Sequence, residues 1–230
     1  MGASLHAPQL ITGARMLYLV WLPAEPDAVA GLVPDGLTPR DDRACYLNQY
    51  IVDRRDQVSN DDFGAYSLTY LGIDLAGLDT EAGTPARWWT HYLNSSEPMI
   101  RYAAARGVPA TSGRTTLHLE GRTLVATSFA NGAAIIRTTA GVDVGDSVRA
   151  TGQLRYITRV EGRLTSGRYP FVADLAESFE VESLEFVDES HPVYALRPAN
   201  PLTVTFGFYS PAISFCYPGG EGPLGSVAGS

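Results

Sequence analysis

The chain has 230 residues, a net charge of −8 and a sequence pI of about 4.9, with 45% hydrophobic and 18% charged residues. This composition is typical of a globular protein and excludes a disordered chain, because it supplies enough apolar material for a core. No cluster of basic residues interrupts the acidic balance, so we expect no binding to nucleic acid or membranes. All-β barrels often reach this length around one core. We therefore expect one domain over 1–230, with flexible ends at 1–10 and 219–230.

The first half of the chain is predicted to alternate strands with one short helix. Segments 15–22 and 43–52 are rich in aliphatic and aromatic residues, which predicts two strands. Between them, residues 26–36 begin with proline, carry a short apolar face and end in a Pro/Gly stop, as a short helix does. Apolar residues alternate over 65–74, and large aromatics occupy 87–94, which predicts two more strands.

The second half is predicted to consist mainly of hairpins that follow one helix. Residues 96–106 start with Ser-Glu-Pro and are rich in alanine before a glycine stop, which predicts that helix. Longer apolar runs at 177–187 and 201–210 predict further strands. Tight hairpin turns are predicted at three pairs: Glu120-Gly121, Asn131-Gly132 and Glu161-Gly162. Together these elements predict a mainly β fold with a few short helices, arranged as an antiparallel barrel.

The sequence carries no signature of a metal site or a nucleotide cofactor. Cys45 and Cys216 have no neighbours at zinc-ligand spacing, and no HExxH, Walker or nucleophile-elbow motif occurs. The N-terminus lacks the basic and apolar regions of a signal peptide, and no segment approaches the ~20 apolar residues of a membrane span. We therefore expect a cytoplasmic protein that uses no cofactor.

All 17 basic residues are arginine, so the chain contains no lysine. The chain's one primary amine is its N-terminus. An enzyme that forms an imine with a carbonyl substrate needs a reactive amine, usually that of a lysine. Schiff-base chemistry is therefore not expected here.

Two segments resemble the acetoacetate decarboxylase-like family. The stretch RMLYLVWLPAEPDAVAGLVPDGL matches the family's first strand and short helix without a gap from Arg15 to Leu37. The stretch SSEPMIRYAAARGVP at 95–109 is similar to the family's Asn-Glu-Pro helix, which leads into its catalytic segment. The resemblance implies an antiparallel acetoacetate decarboxylase-like β-barrel that encloses a cavity, a small-molecule substrate and a tendency to form homo-oligomers.

The family's catalytic groups are only partly retained. The resemblance implies that Arg15 takes the place of the active-site arginine that holds the substrate carboxylate. Ala110 and Thr111 stand where the family has its catalytic lysine pair. The family's two pocket carboxylates fall near 66–68 and 47–48, where this chain has no acidic residue. The resemblance therefore implies the barrel without the decarboxylase's reactive groups.

Several polar residues are candidates for the site. Arg15 is predicted to clamp a carboxylate or enolate, with an internal salt bridge as the alternative. Tyr46 and Asn48 share one face of their strand while Gln49 points to the other, so one set is expected to line the barrel interior. Asn48 or Gln49 is thus a candidate hydrogen-bond donor to a substrate carbonyl, with a solvent-exposed amide as the alternative. Tyr66 is a second candidate group for holding that carbonyl.

His91 is the candidate acid or base, because its unperturbed pKa lies near neutrality. Simple alternation places His91 on the same strand face as Trp89, which is expected to help form an aromatic pocket. A structural histidine is the alternative. Glu97 opens the predicted helix, where its carboxylate either stabilises the helix dipole or borders the cavity, and an i,i+4 pair with Arg101 is expected.

Three functions are compatible with these residues. The first is a cofactor-independent cyclase, isomerase or lyase of specialised metabolism that acts on a carbonyl-bearing, polyketide-like substrate. In such an enzyme, orientation and polarisation of the substrate replace a nucleophile. The second is a lysine-independent aldolase, dehydratase or decarboxylase for a small keto acid, and the third is a non-catalytic binding protein for a hydrophobic acid.

Overall fold

The computed structural model describes residues 6–60 and 62–224, and these residues are mostly β-strand. Two α-helices occur among them, α1 (Pro26–Ala30) and α2 (Glu97–Ala104), and neither is long and apolar enough to cross a membrane. Short 3-10 turns lie at Arg55–Gln57 and Pro192–Leu196. The strands are β1 (Gln9–Trp21), β2 (Cys45–Val52), β3 (Tyr66–Asp74), β4 (Arg87–Asn94), β5 (Ala110–Ser112), β6 (Arg114–Glu120), β7 (Thr123–Ala130), β8 (Ala133–Val160), β9 (Arg163–Phe186), β10 (Val204–Tyr217) and β11 (Gly222–Pro223).

Seven strands pair in a closed ring. Strands β1, β2, β3 and β4 form an antiparallel meander, and β10 pairs with β1 on its other side. The ring continues from β10 through β9 to β8. It closes where β4 meets the end of β8 in a short parallel contact, Arg87 with Tyr156 and Trp88 with Ile157. The predicted barrel is therefore present.

The long strands β8 and β9 serve two layers. Their halves at 147–160 and 163–176 belong to the barrel, whereas 133–143 and 178–186 extend the outer sheet that β6 and β7 form. The register shifts between Asp143 and Ser147, where the strand passes from one layer to the other. A bulge of this kind bends a strand and increases its twist.

Each side of the β1–β4 sheet covers its own core. One cluster, inside the barrel, is rich in tyrosine. The other lies between the barrel wall and the outer sheet, and is mostly aliphatic. Alternation along β2 puts Tyr46 and Tyr50 in the first cluster and Cys45 and Leu47 in the second, as the sequence pattern predicts.

Two of the three predicted hairpin turns form at the predicted residues, 131–132 and 161–162, whereas the third is shifted by one residue: Glu120 is still in β6, paired with Thr123, and the turn is Gly121-Arg122. Asn131 and Glu161 adopt positive φ angles of 51° and 48°, followed by glycines that do the same. Helix α1 is shorter than the predicted 26–36, and the predicted strand at 201–210 is observed as Val204–Tyr217. At the ends, β1 starts at Gln9 and β11 covers Gly222–Pro223, while 1–5 and 225–230 lie outside the described residues.

Candidate functional site

The barrel interior contains a cavity of about 200 Å³. Its polar wall is formed by Tyr18, Asn48, Arg87 and Tyr169. Its apolar lining is formed by Met16, Leu154, Phe171, Phe208 and Ile213. A mostly apolar pocket with a few convergent polar groups is the usual form of a small-molecule site.

Arg87 is the charged centre of this cavity. It starts β4 opposite Asp74 at the end of β3, and its Nε donates to Asp74 Oδ1 at 3.0 Å. The two side chains are only 6% and 7% exposed. The guanidinium carbon also lies 5.1 Å from the ring centre of Tyr18 and 4.7 Å from that of Tyr46. Stacking against aromatic faces is a favourable environment for a desolvated arginine.

Electrostatics keep Arg87 protonated. Burial lowers its pKa, but the surrounding Tyr18, Asp74 and Tyr46 raise it by more, so the net direction is upward. Burial raises the pKa of Asp74, and the attraction of Arg87 opposes that rise. The pair therefore places a fixed cation beside the cavity together with one carboxylate that neutralises it.

Four buried polar atoms at or next to this cavity lack a hydrogen-bond partner. Tyr18 Oη, Asn48 Oδ1 and Arg87 Nη1 belong to residues that line it, and Tyr46 Oη belongs to a ring beside the Arg87 guanidinium. These are four of seven such atoms in the part of the chain that the structure describes. Leaving a buried polar group unpaired costs roughly 1–3 kcal/mol, so native proteins have few. Their concentration at one cavity indicates a site for a ligand that carries hydrogen-bonding oxygen atoms.

A chain of hydrogen bonds links Asn48 to Tyr169. The Asn48 amide nitrogen donates to the Tyr70 hydroxyl, which is bonded in turn to the Tyr169 hydroxyl. All three side chains are buried. Burial raises the pKa of Tyr169 to about 12, although Tyr70 and Arg87 both lower it in part.

Gly72 makes room for this arrangement. It lies on β3 opposite Tyr46 of β2. A Cβ at position 72 would overlap the Trp88 carbonyl oxygen and lie 2.7 Å from Cε1 of the Tyr46 ring. Only glycine at this position of β3 therefore lets the Tyr46 ring lie against the Arg87 guanidinium.

An open groove adjoins the cavity. It has a volume of about 400 Å³ and shares Thr84, Arg87 and Phe206 with the cavity wall. Its remaining surface is more polar and includes Arg40 and Asp42. Phe206 is 57% exposed, which is unusual for a large apolar side chain. The groove gives the cavity a route to solvent past this ring.

The fold is similar to several solved structures. Acetoacetate decarboxylase from Legionella pneumophila is 11% identical, with 100% of this chain and 92% of that chain covered and a TM-score of 0.73. The enduracididine biosynthesis enzyme MppR in complex with pyruvate is 14% identical over 97% of this chain and 92% of that one, with a TM-score of 0.67. An acetoacetate decarboxylase-like enzyme from Sphingomonas wittichii RW1 is 15% identical over 96% and 94%, with a TM-score of 0.61.

The chain has the acetoacetate decarboxylase fold. No protein-family model and no curated protein sequence matches it. The resemblance inferred from two sequence segments is thus confirmed by structural similarity along nearly the whole chain.

The segment that the family resemblance aligns with the lysine pair carries no amine. Ala110 starts β5, pairs with Tyr92 of β4 and packs against the tyrosine-rich cluster. Thr111 is exposed, and its hydroxyl bonds the carbonyl of Tyr92.

Arg15 does not face the cavity, contrary to the prediction from the family resemblance. Its Nε lies 2.8 Å from Asp53 Oδ2, and its Nη1 donates to the carbonyl of Leu117 on the outer sheet. The side chains of Arg15 and Asp53 are 31% and 39% exposed. Arg15 shares its strand face with Leu17 of the aliphatic cluster, whereas Met16 faces inward. Arg15 therefore forms an internal salt bridge, which was the alternative to a carboxylate clamp.

A β-bulge overturns the predicted grouping on β4. Leu71 pairs with His91 but Gly72 pairs with Trp89, so Thr90 is the extra residue. Trp89 consequently belongs to the tyrosine-rich cluster and stacks on Tyr156 with ring centres 4.5 Å apart, outside the cavity lining. His91 lies on the other face, with its ring centre 6.3 Å from that of His191. It is not placed to act on a ligand in the cavity.

Of the remaining candidates, the structure brings only Asn48 and Tyr46 to the Arg87 centre. Gln49 is buried on the opposite face, where it donates to Ser128 and accepts from Thr138. Tyr66 is inside the barrel, but its hydroxyl bonds Tyr50 and it does not line the cavity. Glu97 is exposed and forms the expected i,i+4 ion pair with Arg101.

Sequence reasoning missed Arg87, Asp74, Tyr18 and Tyr169. A buried arginine needs a carboxylate partner, and Arg87 fits this rule better than the partly exposed Arg15. A detectable signal existed, because Asp74 ends one predicted strand and Arg87 starts the next. Adjacent antiparallel strands place such residues opposite each other.

His91 is expected to make the protein sensitive to acid. Burial, together with His191, lowers its pKa from 6.5 to about 4. Its stabilising effect should be complete above pH 6.5 and be lost as the pH falls towards 4, because the unfolded chain binds the proton more tightly. The loss is up to about 3 kcal/mol, at 1.36 kcal/mol per pKa unit.

Urea unfolding of wild type and His91→Gln between pH 7.5 and 4.5 measures this effect. The variant should show a shallower pH dependence of the unfolding free energy. His118→Gln, at an exposed position of β6, is the control and should retain the wild-type slope. Equal slopes for wild type and His91→Gln would contradict the assignment.

Proposed function

We propose that this protein is a lyase-type enzyme that acts on the carbonyl group of a small keto acid without forming an imine. The observation that supports the proposal most is the set of unpaired polar atoms around the cavity, with Arg87 at its centre. MppR binds pyruvate on the same fold, which fits a keto acid as the ligand class. The absence of lysine from the chain is the reason for proposing chemistry without an imine.

The cavity offers a place for an enolate oxygen. In the proposed reaction, a bond between the α-carbon and a carboxylate or aldol carbon breaks, and its electron pair moves to the ketone oxygen. Arg87 Nη1 and the Tyr18 hydroxyl are two unpaired donors for that oxygen. One preorganised donor of this kind contributes roughly 2.7–4 kcal/mol in known oxyanion sites. Two donors in a buried cavity can therefore replace part of the stabilisation of the developing negative charge that an iminium ion would provide.

The apolar lining of the cavity favours loss of charge there. A carboxylate held against Phe171 and Phe208 is poorly solvated, whereas carbon dioxide is neutral and is not penalised by such surroundings. Decarboxylation of a β-keto acid is therefore the reaction that this geometry favours first. Retro-aldol cleavage, isomerisation and cyclisation through the same enolate would also require Arg87 to stabilise the enolate oxygen.

Cavity size bears on the two predicted substrate classes. A volume of about 200 Å³ accommodates a small keto acid but not a folded polyene. Known ligand pockets for drug-sized molecules are ≈ 300–1,000 Å³. A polyketide-like substrate would fit only with its reacting end in the cavity and its chain in the adjoining groove past Phe206.

A non-catalytic binding protein for a hydrophobic acid is the second candidate. It is supported by the loss of the family's amines, and by an Arg87 charge that Asp74 already neutralises. Such a protein would bind a keto acid and leave it unchanged. Turnover separates the two functions.

The proposal is tested by incubating the purified protein with β-keto acids and their aldol adducts of increasing chain length. We expect a thermal shift together with a product lighter by carbon dioxide or by an aldehyde, detected by mass spectrometry. Sodium borohydride added during turnover should leave the protein mass unchanged, because no lysine is present to be trapped.

Stabilisation by a keto acid without any product would favour the binding protein. A borohydride-trapped adduct on the chain would contradict imine-free chemistry. Neither stabilisation nor turnover with any member of the panel would overturn the keto-acid assignment itself.

A further inference from the structure

We infer that Tyr169 is the catalytic acid that protonates the enolate carbon after bond cleavage. This inference rests on the proposed function and adds to it the residue that completes the reaction. Arg87 and Tyr18 hold the oxygen end of an enolate, but the carbon end must still receive a proton. With the Tyr18 hydroxyl assigned to the enolate oxygen, Tyr169 is a second tyrosine hydroxyl on the cavity wall whose proton can serve that step.

The hydrogen-bond chain has a direction. Asn48 donates its amide hydrogen to the Tyr70 oxygen. Either hydroxyl of the Tyr70–Tyr169 pair can donate by geometry, and we assign the Tyr70 hydrogen to the Tyr169 oxygen because Tyr70 already accepts from Asn48. Tyr169 consequently accepts from Tyr70, and its O–H is free to donate into the cavity. Asn48 and Tyr70 are positioning residues in this arrangement.

The surroundings of Tyr169 keep its hydroxyl protonated until the enolate forms and then support a transient phenolate. Burial raises the pKa of Tyr169 to about 12, while the Tyr70 hydroxyl, by hydrogen bonding, and Arg87, through space, lower it in part. The ring packs against Phe215 and Tyr217, which hold the hydroxyl in place. A general acid needs this combination of fixed position and a stabilised conjugate base.

The proposed step is balanced. The enolate α-carbon forms a C–H bond as the Tyr169 O–H bond breaks, and the electron pair of that O–H bond remains on the phenolate. One water molecule reprotonates the phenolate when product leaves, and the hydroxide produced combines with carbon dioxide to give bicarbonate. Overall, one β-keto carboxylate and one water give one ketone and one bicarbonate.

Decarboxylation of a 2-methyl-3-keto acid in D₂O tests this assignment, because the product then carries a deuterium at a newly formed stereocentre. Wild type should give mainly one enantiomer. Tyr169→Phe should reduce kcat by roughly 10²-fold or more, and its deuterated product should be nearly racemic. The variant should still bind an unreactive methyl ketone with a Kd within about 3-fold of wild type. Tyr66→Phe, which removes a hydroxyl that bonds only Tyr50 in the described contacts, is the control and should behave as wild type.

Tyr70→Phe tests the direction of the chain while Tyr169 stays in place. It should lower kcat by roughly 10-fold and preserve the enantiomer of the product. Wild-type stereochemistry and rate in Tyr169→Phe would overturn the inference and leave the proposed function standing. Racemic product from the wild type would also overturn it, whereas absence of any wild-type turnover would remove the proposed function and the inference together.

Discussion

Replacement of Arg87 by glutamine is expected to lower keto-acid turnover by roughly 10²–10³-fold, because it removes a charged donor to the developing enolate oxygen. It should also abolish most of the thermal stabilisation by keto acids. The same change leaves Asp74 buried without its ion-pair partner. Breaking a buried pair in this way costs about 3–5 kcal/mol of folding free energy.

A second substitution separates the loss of turnover from the loss of stability. The double variant Asp74→Asn/Arg87→Gln restores a neutral, hydrogen-bonding pair, so most of the lost stability should return while turnover stays low. Chemical unfolding and steady-state kinetics on the same four proteins of this cycle measure both quantities. Recovery of activity in the double variant would contradict a direct role for the Arg87 charge.

Arg15→Gln is the matched control for the choice of arginine. Arg15 forms a partly exposed ion pair with Asp53 on the opposite face of β1. Exposed pairs of this kind contribute about 0–1 kcal/mol, so stability should change little and turnover should not change. A large loss of turnover in Arg15→Gln, with none in Arg87→Gln, would return the site to the position implied by the family resemblance.

The second large effect is expected for Gly72→Ala. The added methyl group overlaps the Trp88 carbonyl oxygen of the paired strand β4 and crowds the fully buried Tyr46 ring. Overpacking of a rigid core costs typically 1–3 kcal/mol and occasionally more. Displacement of Tyr46 should also disturb the Arg87 guanidinium, so keto-acid binding should weaken together with stability.

Gly141→Ala is the control for the glycine substitution. Gly141 is also within a strand, but a Cβ there meets no atom closer than 3.6 Å. Its unfolding midpoint in urea should therefore equal or exceed that of wild type, since alanine restricts the unfolded chain. Equal stability of Gly72→Ala and Gly141→Ala would contradict this prediction, because it would mean that the paired strands β3 and β4 can move apart enough to accommodate the methyl group at little cost in free energy.

The contrast between the two arginines illustrates how the site differs from the family pattern. Arg87 starts β4 and Arg15 lies within β1, and both have an aspartate partner. Only Arg87 has that partner in a dry environment beside aromatic rings and a cavity. Position in the layers, and not residue type, decides which arginine can act on a ligand.

The sequence alone determined the strands, the hairpin turns and the absence of a lysine nucleophile. The pairs Asn131-Gly132 and Glu161-Gly162 predict their turns, because the turn needs positive φ angles that glycine adopts easily and most other residues do not. Alternation along β2 placed Tyr46 and Asn48 on one face because side chains in a strand alternate. These are local properties, and local sequence specifies them.

Only the tertiary structure decided which face of each strand meets the cavity. The bulge at Thr90 reverses the side of His91 relative to Trp89, and nothing in the residues of β4 marks it. The pairing of Arg87 with Asp74, and the meeting of Tyr169 with Tyr70 across 99 residues, depend on how β3, β4 and β9 close the barrel. Long-range register sets these contacts, because a shift of one residue moves every side chain of a strand to the opposite face.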